Sequence, residues 1–367
     1  MQKFIKLGYV ASILGILLIV YGYYVSVSKY IRIAQTTKSF SFILYLVIIT
    51  LFFYIFIILQ SMIHEAGHLL FGLVCGYELI SVRIGNLRII NDGNTKVISG
   101  GKFEQNGQCI MKTKDEGNRA HCLLYNLGGC ILNLAVSSFL LVLVHKKVIT
   151  AHLVPLYIFI IAGYYVFLVN AIPCIRNSTI SDTLNCCLLL SNKDLLETMN
   201  IQLDIYCQLL NGRRPGEIDF KKFDLSVLNI YSFSPAITYY YCCLDKNDIS
   251  KAKAVLNALR KSDAVFGKSQ KNRLYYEDLY LKLIANDALD TYDIKKIEQL
   301  KKSHTIEDIR VLHAYYYFYE KNFDLAKLYE HSIQKVNPQF MAGLFEFHRD
   351  LILNPLRFKM TDYQHCH

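Results

Sequence analysis

Residues 42–76 read FILYLVIITLFFYIFIILQSMIHEAGHLLFGLVCG, and no charged side chain precedes His64 in this run. About 20 apolar residues on a helix cross a bilayer. The run therefore predicts a membrane span that is overlong for one crossing, so it is either tilted or emerges at one end. Ionisable side chains are costly inside a bilayer, so the residues near its end mark a functional site.

The five residues His64-Glu65-Ala66-Gly67-His68 have the spacing of a metal site. Residues four apart share one face of a helix, so His64 and His68 can present two imidazole nitrogens to one tetrahedral Zn²⁺. Glu65 then lies beside the metal and can take a proton from the attacking water. A lone buried His is usually a satisfied polar residue, but two at this spacing with Glu between them favour a metal ligand pair.

The composition is that of a membrane protein. The chain has 367 residues, of which 53% are hydrophobic, with a mean hydropathy of +0.25 and a net charge of +10. This is too apolar for a soluble protein of such length and predicts several spans. The positive charge is spread along the chain without a motif for groove or base recognition, so it fits attraction to a membrane surface, and no nucleic-acid partner is expected.

Three further apolar stretches predict spans. Residues 7–25 favour an uncleaved anchor over a signal peptide, because the stretch is long and lacks a clear small-residue cleavage site. Residues 123–144 and 153–172 predict the third and fourth spans. The shorter apolar piece 184–190 is expected to complete a broken fourth span, since Pro173 interrupts the helix.

Basic residues orient the predicted bundle. The segment between the second and third spans is richer in Lys and Arg than the link between the third and fourth, so it is expected on the cytoplasmic side. Four crossings then place both termini and the region after about residue 190 in the cytoplasm of a cell, expected to be bacterial. Lys29, Arg32 and Lys38 in the first outside loop argue against this orientation. The 11 cysteines are scattered and are expected to be free thiols.

A catalytic zinc site needs a third protein ligand together with water. Beyond Pro173, irregular backbone at membrane depth is tolerable only where it faces protein or a wet cavity. Asp182 begins the helical segment that follows, where the helix dipole stabilises a carboxylate. Asp182 is therefore the predicted third ligand, and an ordinary residue at a helix N-terminus is the alternative.

These elements together resemble the site-2-type intramembrane zinc metalloproteases. That family has a His-Glu-x-x-His motif, often a Gly-x-x-x-Asn stretch on the next span, and later an Asn-x-x-Pro motif followed by Asp. The similar segments here are His64–His68, Gly129–Asn133, and Asn170 with Pro173 and Asp182.

The resemblance covers roughly residues 42–190 and implies roles for single residues. Zn²⁺ would be held by His64, His68 and Asp182, with Glu65 as general base and Asn170 binding substrate or the developing oxyanion. The chain departs from the pattern because Thr183, and not Gly, follows Asp182. The spacing from Pro to Asp is also longer than usual.

Residues 79–111 predict short strands between the second and third spans. These are residues 79–84, 87–90 and 96–99, with 91–94 as a turn. An edge of this ribbon can hold unwound substrate by strand addition. A plain surface hairpin is the alternative.

After about residue 195 the sequence has mixed charge, with aromatic and Leu residues at helical spacing, so an all-helical domain is predicted. Asp245–Asp248 resembles Glu320–Phe323, and Ala285–Asp287 gives a weaker echo. A unit of about 37 residues is similar to degenerate tetratricopeptide-type repeats. The aromatic runs 239–241 and 315–319 are expected to pack successive helices, with a binding surface for protein or peptide as the alternative.

The predicted fold is mainly α: a polytopic membrane helix bundle of about four spans, the fourth broken, with a small β-hairpin insertion and a C-terminal α-helical repeat domain. Residues 1–40 form the anchor span and outside loop, 41–192 the membrane-embedded metalloprotease core, and 193–367 the cytoplasmic repeat-like domain.

The expected function is that of a zinc endopeptidase in the lipid bilayer, acting on a transmembrane segment, a signal-peptide remnant or a peptide precursor. One alternative is an inactive membrane scaffold that recruits a protein or peptide through residues 193–367. Another is a transporter whose intramembrane His and Asp handle metal or protons.

Overall fold

The computed structural model describes residues 2–34, 42–91, 95–99, 107–112, 118–176, 179–262, 264, 266–303, 305–336 and 341–358. Most of these residues are helical. The chain divides into two compact units, Met1–Lys193 and Asp194–His367.

Four long helices form the framework of the first unit. They are α1 (Gln2–Ala34), α2 (Phe42–Val74), α3 (Arg119–His145) and α4 (Leu153–Ala171). All four are long and apolar enough to cross a membrane, as the sequence predicted. The 19 residues of α4 rise about 28 Å, close to the thickness of the hydrocarbon core, whereas the 33 residues of α2 exceed it. The chain is therefore a membrane protein.

Small residues bring these helices close together. α2 contacts α3 and α4, α3 contacts α4, and α1 packs on α4. Gly67 of α2 faces Gly128 and Gly129 of α3, and a Cβ atom built on Gly67 would lie only 2.8 Å from the Gly129 Cα. Packing of this kind is how membrane helices associate, because lipid offers no hydrophobic driving force between them.

A four-stranded antiparallel sheet connects α2 to α3. Its strands are β1 (Glu78–Ile84), β2 (Leu87–Asn91), β3 (Thr95–Ser99) and β4 (Gln108–Lys112), in the order β3-β2-β1-β4. The three predicted strands are present. Of the turn predicted at residues 91–94, Asn91 belongs to β2 instead, and residues 92–94 lie outside the described residues. The strand β4 was not predicted. It pairs with β1 and buries Met111 against Cys75 and Tyr77, so tertiary packing selects it.

The predicted break after α4 is also present. α4 ends at Ala171, and Ile172 has extended backbone before Pro173. A two-stranded hairpin follows, formed by β5 (Ile175–Arg176) and β6 (Thr179–Ile180). The helix α5 (Asp182–Ser191) then begins, and the Ser181 side chain accepts a hydrogen bond from the Leu184 N–H as its N-terminal cap.

In the described part of the second unit, regular structure is entirely helical. Its helices are α6 (Lys193–Leu210), α7 (Phe233–Asp245), α8 (Ile249–Lys261), α9 (Lys268–Ala285), α10 (Thr291–Leu300), α11 (Ile306–Ala314), α12 (Phe323–Ser332) and α13 (Ala342–Leu353). Short 3-10 turns lie at Pro215–Glu217 and Ile333–Lys335, and a π-helical turn, Tyr315–Tyr319, extends α11.

Tight turns with left-handed residues end three of these helices. Asn247, Asn286 and Lys321 have φ of 59°, 56° and 53°. Asp248 and Asn322 then cap the next helix, accepting from the N–H groups of Lys251 and Leu325. The predicted similarity of residues 245–248 to 320–323 therefore falls on two turns of the same kind, but the equivalent positions are shifted by one residue, since Asn247 matches Lys321 and Asp248 matches Asn322. The type of repeat stays a prediction.

The core of the second unit contains aromatic and charged residues. Tyr240 and Tyr241 are buried, in agreement with a packing role. Arg310 is fully buried and pairs with Glu277, whose other carboxylate oxygen accepts from the Tyr241 hydroxyl at 2.8 Å. The Arg310 guanidinium also lies 4.1 Å from the ring centroid of Tyr280, where the cation is attracted to the aromatic face.

His348 on α13 is fully buried beside this cluster, with its ring centroid 4.9 Å from that of Tyr241. Burial holds the pKa of His348 well below its usual range, and the positive charges of Arg310 and Arg273 lower it further. The imidazole is therefore neutral in the folded unit.

Candidate metal centre

His64 and His68 lie one turn apart on the inner face of α2. Both are buried, with 5% and 8% of their surface exposed. Their Nε2 atoms are 3.2 Å apart. The helical spacing that suggested a shared metal therefore brings the two nitrogens together.

Asp182 joins them from the first residue of α5. Its Oδ2 atom lies 2.9 Å from the His64 Nε2 and 3.4 Å from the His68 Nε2. The Ser181 hydroxyl fixes this start of α5 to the end of α4, because it donates to the Ile172 carbonyl at 2.8 Å and accepts from the Cys174 N–H at 3.0 Å. The break in the fourth span thus delivers the carboxylate.

Hydrogen bonds to the far side of each imidazole set its tautomer. The His68 Nδ1 lies 2.8 Å from the Tyr125 carbonyl, which can only accept, so this nitrogen carries the proton. The His64 Nδ1 lies 2.8 Å from the Asn133 Oδ1. The Asn133 Nδ2 donates to the backbone and side-chain oxygens of Gln60 at 3.0 and 2.9 Å, which leaves Oδ1 as an acceptor. Both Nε2 atoms therefore direct lone pairs toward Asp182.

Three acceptors this close together fit a bound cation. A tetrahedral site with zinc bonds of about 2.0–2.1 Å separates its ligand atoms by about 3.3 Å. The three separations here are 2.9, 3.2 and 3.4 Å. Unprotonated imidazole nitrogens and a carboxylate at these distances repel one another unless a proton or a metal ion lies between them, and the donor set has the composition of the predicted zinc ligands.

Glu65 lies on the same turn of α2 and is 7% exposed. Its carboxylate faces the backbone of Cys109. It also packs against Gly107, where an added Cβ atom would lie 2.6 Å from the Glu65 Oε1. The Cys109 carbonyl in turn accepts from the Tyr125 hydroxyl at 2.7 Å. The beginning of β4 therefore covers the side of the centre that carries Glu65.

Asn170 is linked to the residues of the centre through its backbone carbonyl. Its carbonyl accepts from the Thr183 hydroxyl at 3.1 Å, which ties the end of α4 to the residue after Asp182. Its side-chain amide donates to the Val166 carbonyl of its own helix at 3.1 Å. A role of the Asn170 side chain toward substrate stays a prediction, while Thr183, the departure from the family pattern, has a structural role.

The structure adds residues that the sequence analysis did not predict to orient or approach the metal ligands. Asn133 and Gln60 orient His64, as described above. Cys130 is 4% exposed, and its Sγ lies 3.9 Å from the Asp182 Oδ2. The sequence did contain a pattern that could have identified Asn133 and Cys130, because polar side chains and cysteine recur at helical spacing along the otherwise apolar α3.

Comparison with known proteins yields no relative: no protein-family model, curated protein or solved structure matches this chain. The resemblance to site-2-type proteases therefore rests on the residues quoted above.

Proposed function

We propose that this protein is an intramembrane zinc endopeptidase. The observation that carries the proposal is the convergence of His64 Nε2, His68 Nε2 and Asp182 Oδ2 within 3.4 Å of one another, with the buried Glu65 beside them. Zinc at this site would act as a Lewis acid on the scissile carbonyl and would activate a water molecule, which is the chemistry of peptide hydrolysis. Glu65 takes the proton from the attacking water and passes it to the leaving amine.

The surroundings of the centre favour a substrate that is itself in the membrane. The ligands His64 and His68 lie within a helix that is apolar enough to span the bilayer, and α3 and α4, which pack on it, are also spans. A transmembrane substrate hides its amides in helical hydrogen bonds, so it must unwind locally before hydrolysis. A transmembrane segment, a signal-peptide remnant or a peptide precursor meets this description.

Strand β4 is a candidate binding element for unwound substrate. It forms one edge of the sheet, and at Cys109 its outer backbone groups contact Glu65 and Tyr125. A substrate strand that adds to this edge would replace those two contacts. Pairing would thus place an extended peptide beside the metal and free the Glu65 carboxylate for catalysis.

The proposal also includes an orientation of the chain in the membrane and a role for the second unit. The excess of Lys and Arg between α2 and α3 supports cytoplasmic N- and C-termini. The proposed location is a bacterial cell membrane. The second unit would then be cytoplasmic, and its helix pairs suit the binding of a protein or peptide partner.

The test uses the full chain, purified in detergent and reconstituted with a library of tagged single-span peptides. Zinc content is measured by mass spectrometry of the metal, and cleavage by mass spectrometry of the products. Wild type should hold one zinc and cleave members of the library. Glu65→Gln should keep the zinc and lose cleavage by at least about 100-fold, since general-base catalysis contributes that much or more. His64→Ala and Asp182→Ala should lose the metal.

A matched control is Glu78→Gln, which removes an exposed carboxylate at the start of β1. It should change neither zinc content nor cleavage. Wild type that binds zinc while Glu65→Gln processes the same peptides at the same rate would contradict the proposal. That result would favour the inactive scaffold.

A further inference from the structure

A buried polar stripe runs along α3. Its members are Asn126, Cys130, Asn133 and Ser137, with 5%, 4%, 0% and 0% of their surface exposed. Steps of four, three and four residues keep them on one helical face. Asn126 accepts from the Asn185 amide at 2.6 Å, and Asn133 orients His64. Cys130 lies between these two, level with the predicted metal ligands.

The Cys130 sulfur is close to where a further ligand would lie. Its Sγ, a ring nitrogen of His64 and a carboxylate oxygen of Asp182 all lie within 4.8 Å of one another. With zinc–sulfur bonds of about 2.3 Å and zinc–oxygen bonds of about 2.0–2.2 Å, tetrahedral geometry separates sulfur from oxygen by about 3.5 Å. The observed separation between Cys130 Sγ and Asp182 Oδ2 is 3.9 Å. The sulfur is thus within a few tenths of an ångström of this separation from the Asp182 oxygen. His68 is not among the groups within 4.8 Å of Cys130, so the sulfur also has to move toward the His68 nitrogen to complete the coordination.

The geometry points to Cys130 as a fourth protein ligand of the metal. This inference rests on the proposed function and extends it. A site with two imidazoles, a carboxylate and a thiolate has no open position, whereas a catalytic zinc site keeps one for water. A metal held by all four residues would therefore be closed to water, and the thiolate would have to leave it before water could enter. The Cys130 proton is released to solvent when the metal binds, because only the thiolate is a ligand.

Cobalt(II) tests this directly, because it reports its ligands by absorbance. Full-length protein in detergent is stripped with a chelator, kept reduced and titrated with Co²⁺ alone. Wild type should show the visible bands of tetrahedral cobalt together with a near-ultraviolet charge-transfer band from thiolate to cobalt. Cys130→Ser should keep the visible bands and lose the charge-transfer band.

Two variants serve as controls. Cys186→Ser removes another buried thiol of the same unit, on α5, whose Sγ lies 4.0 Å from the Leu123 carbonyl. It should retain both sets of bands. Glu65→Gln should also retain both, because Glu65 is not a ligand.

The outcomes separate this inference from the proposed function. Tetrahedral cobalt bands in wild type without charge transfer would overturn the role of Cys130 and leave the metal centre intact. A charge-transfer band that persists in Cys130→Ser would also overturn it, because another thiol would then be the ligand. No cobalt bands in wild type would contradict the metal centre itself.

Discussion

The orientation of the two imidazole rings on α2 depends on hydrogen-bond partners that lie on α3. Asn133 accepts from the His64 Nδ1–H, and the Tyr125 carbonyl accepts from that of His68. Each bond fixes the ring and leaves its Nε2 as the atom that would coordinate the proposed metal. Partners of this kind raise the affinity of a site although they never touch the metal.

Asn133→Ala should therefore weaken metal binding without removing a ligand. We expect zinc affinity to fall about 10- to 100-fold, since loss of an outer hydrogen-bond partner has effects of this size. Competition with a chromophoric chelator measures the change. Ser138→Ala is the control, because it removes one hydrogen bond from the same helix, that to the Tyr164 hydroxyl at 3.1 Å. Equal affinities of Asn133→Ala and wild type would contradict the assigned role.

His348 gives a prediction about pH. The pKa of His348 is lower in the folded unit than in the unfolded chain. As the pH falls below about 6.5, His348 therefore becomes protonated in the unfolded chain while it stays neutral in the folded unit. Stability linked to His348 is complete above that pH and falls by up to about 1.4 kcal/mol per pH unit below it. His348→Phe should remove this dependence on pH. If the free energy of unfolding of wild type exceeds that of the variant at pH 8, the difference should become smaller, or change sign, at pH 5.5.

The measurement follows unfolding of the second unit within the full chain. Cys242 and Cys243 are each 3% exposed, and their reaction with a pyridyl disulfide in a urea series reports the loss of this core at either pH. His331→Phe, at an exposed position of α12, is the control and should keep the pH dependence of wild type. If His348→Phe kept it as well, the buried imidazole would not be its source.

At the scale of elements, the centre depends on how closely α2 and α3 approach each other. Gly67 faces Gly128 and Gly129, and a Cβ atom on Gly129 would lie 2.6 Å from the His64 Cε1. Larger side chains would separate the helix that carries the two imidazoles from the helix that orients them. The small residues therefore serve both packing and the site.

Gly67→Ala tests this approach. The added methyl meets the backbone of α3, which cannot move aside as a flexible side chain can, so we expect a loss of stability of about 1–3 kcal/mol and weaker zinc binding. Thermal denaturation in detergent, with and without zinc, measures both effects. Ala66→Ser adds one heavy atom at the neighbouring exposed position and should have little effect. If both variants melted alike, the helix contact would be looser than described.

Prediction from sequence succeeds for elements whose signal is local. The four spans have long apolar runs, and Pro173 marks the break before α5, so their positions were predicted within a few residues. Strand β4 has only the pattern Gln-Cys-Ile-Met-Lys, and its partner β1 begins 30 residues earlier. Such pairing depends on tertiary packing, which no local pattern reveals.

For the whole molecule, the two units should respond differently to removal of metal. A metal stabilises only the unit that binds it, by about 2.7 kcal/mol at a free concentration 100 times its dissociation constant. Chelation should therefore speed the labelling of buried Cys186 in the first unit by up to about 100-fold. Cys242 in the second unit should label at an unchanged rate. Mass spectrometry of the labelled peptides measures both.

The control for this experiment is His64→Ala, in which the chelator should have no effect on Cys186. Equal acceleration at Cys186 and Cys242 would contradict separate responses. An unchanged rate at both positions in wild type would show that no metal stabilises the first unit.

That His64, His68 and Asp182 lie together was inferred from the chemistry of zinc ligands, because the sequence separation of Asp182 from the two histidines does not reveal it. His64 and His68 are four residues apart, so a helix alone brings them together. His64 and Asp182 are 118 positions apart, and their contact depends on the whole path through the sheet, α3, α4 and the hairpin after Pro173. Asp182 was predicted because it begins the helical segment after the break at Pro173, and no other acidic residue lies between Glu116 and it. The Asn133 network and the position of Cys130 required the packed helices.

The Ser181 cap and the hairpin before it place Asp182 at the far end of the chain segment that builds the centre. During synthesis the ribosome releases both imidazoles long before the carboxylate. A nascent chain that ends within α4 contains both imidazoles but not the Asp182 carboxylate. Loading of the proposed metal would consequently be a late event in biogenesis, since all its ligands are present only once α4 has been made and the chain has turned back to Asp182.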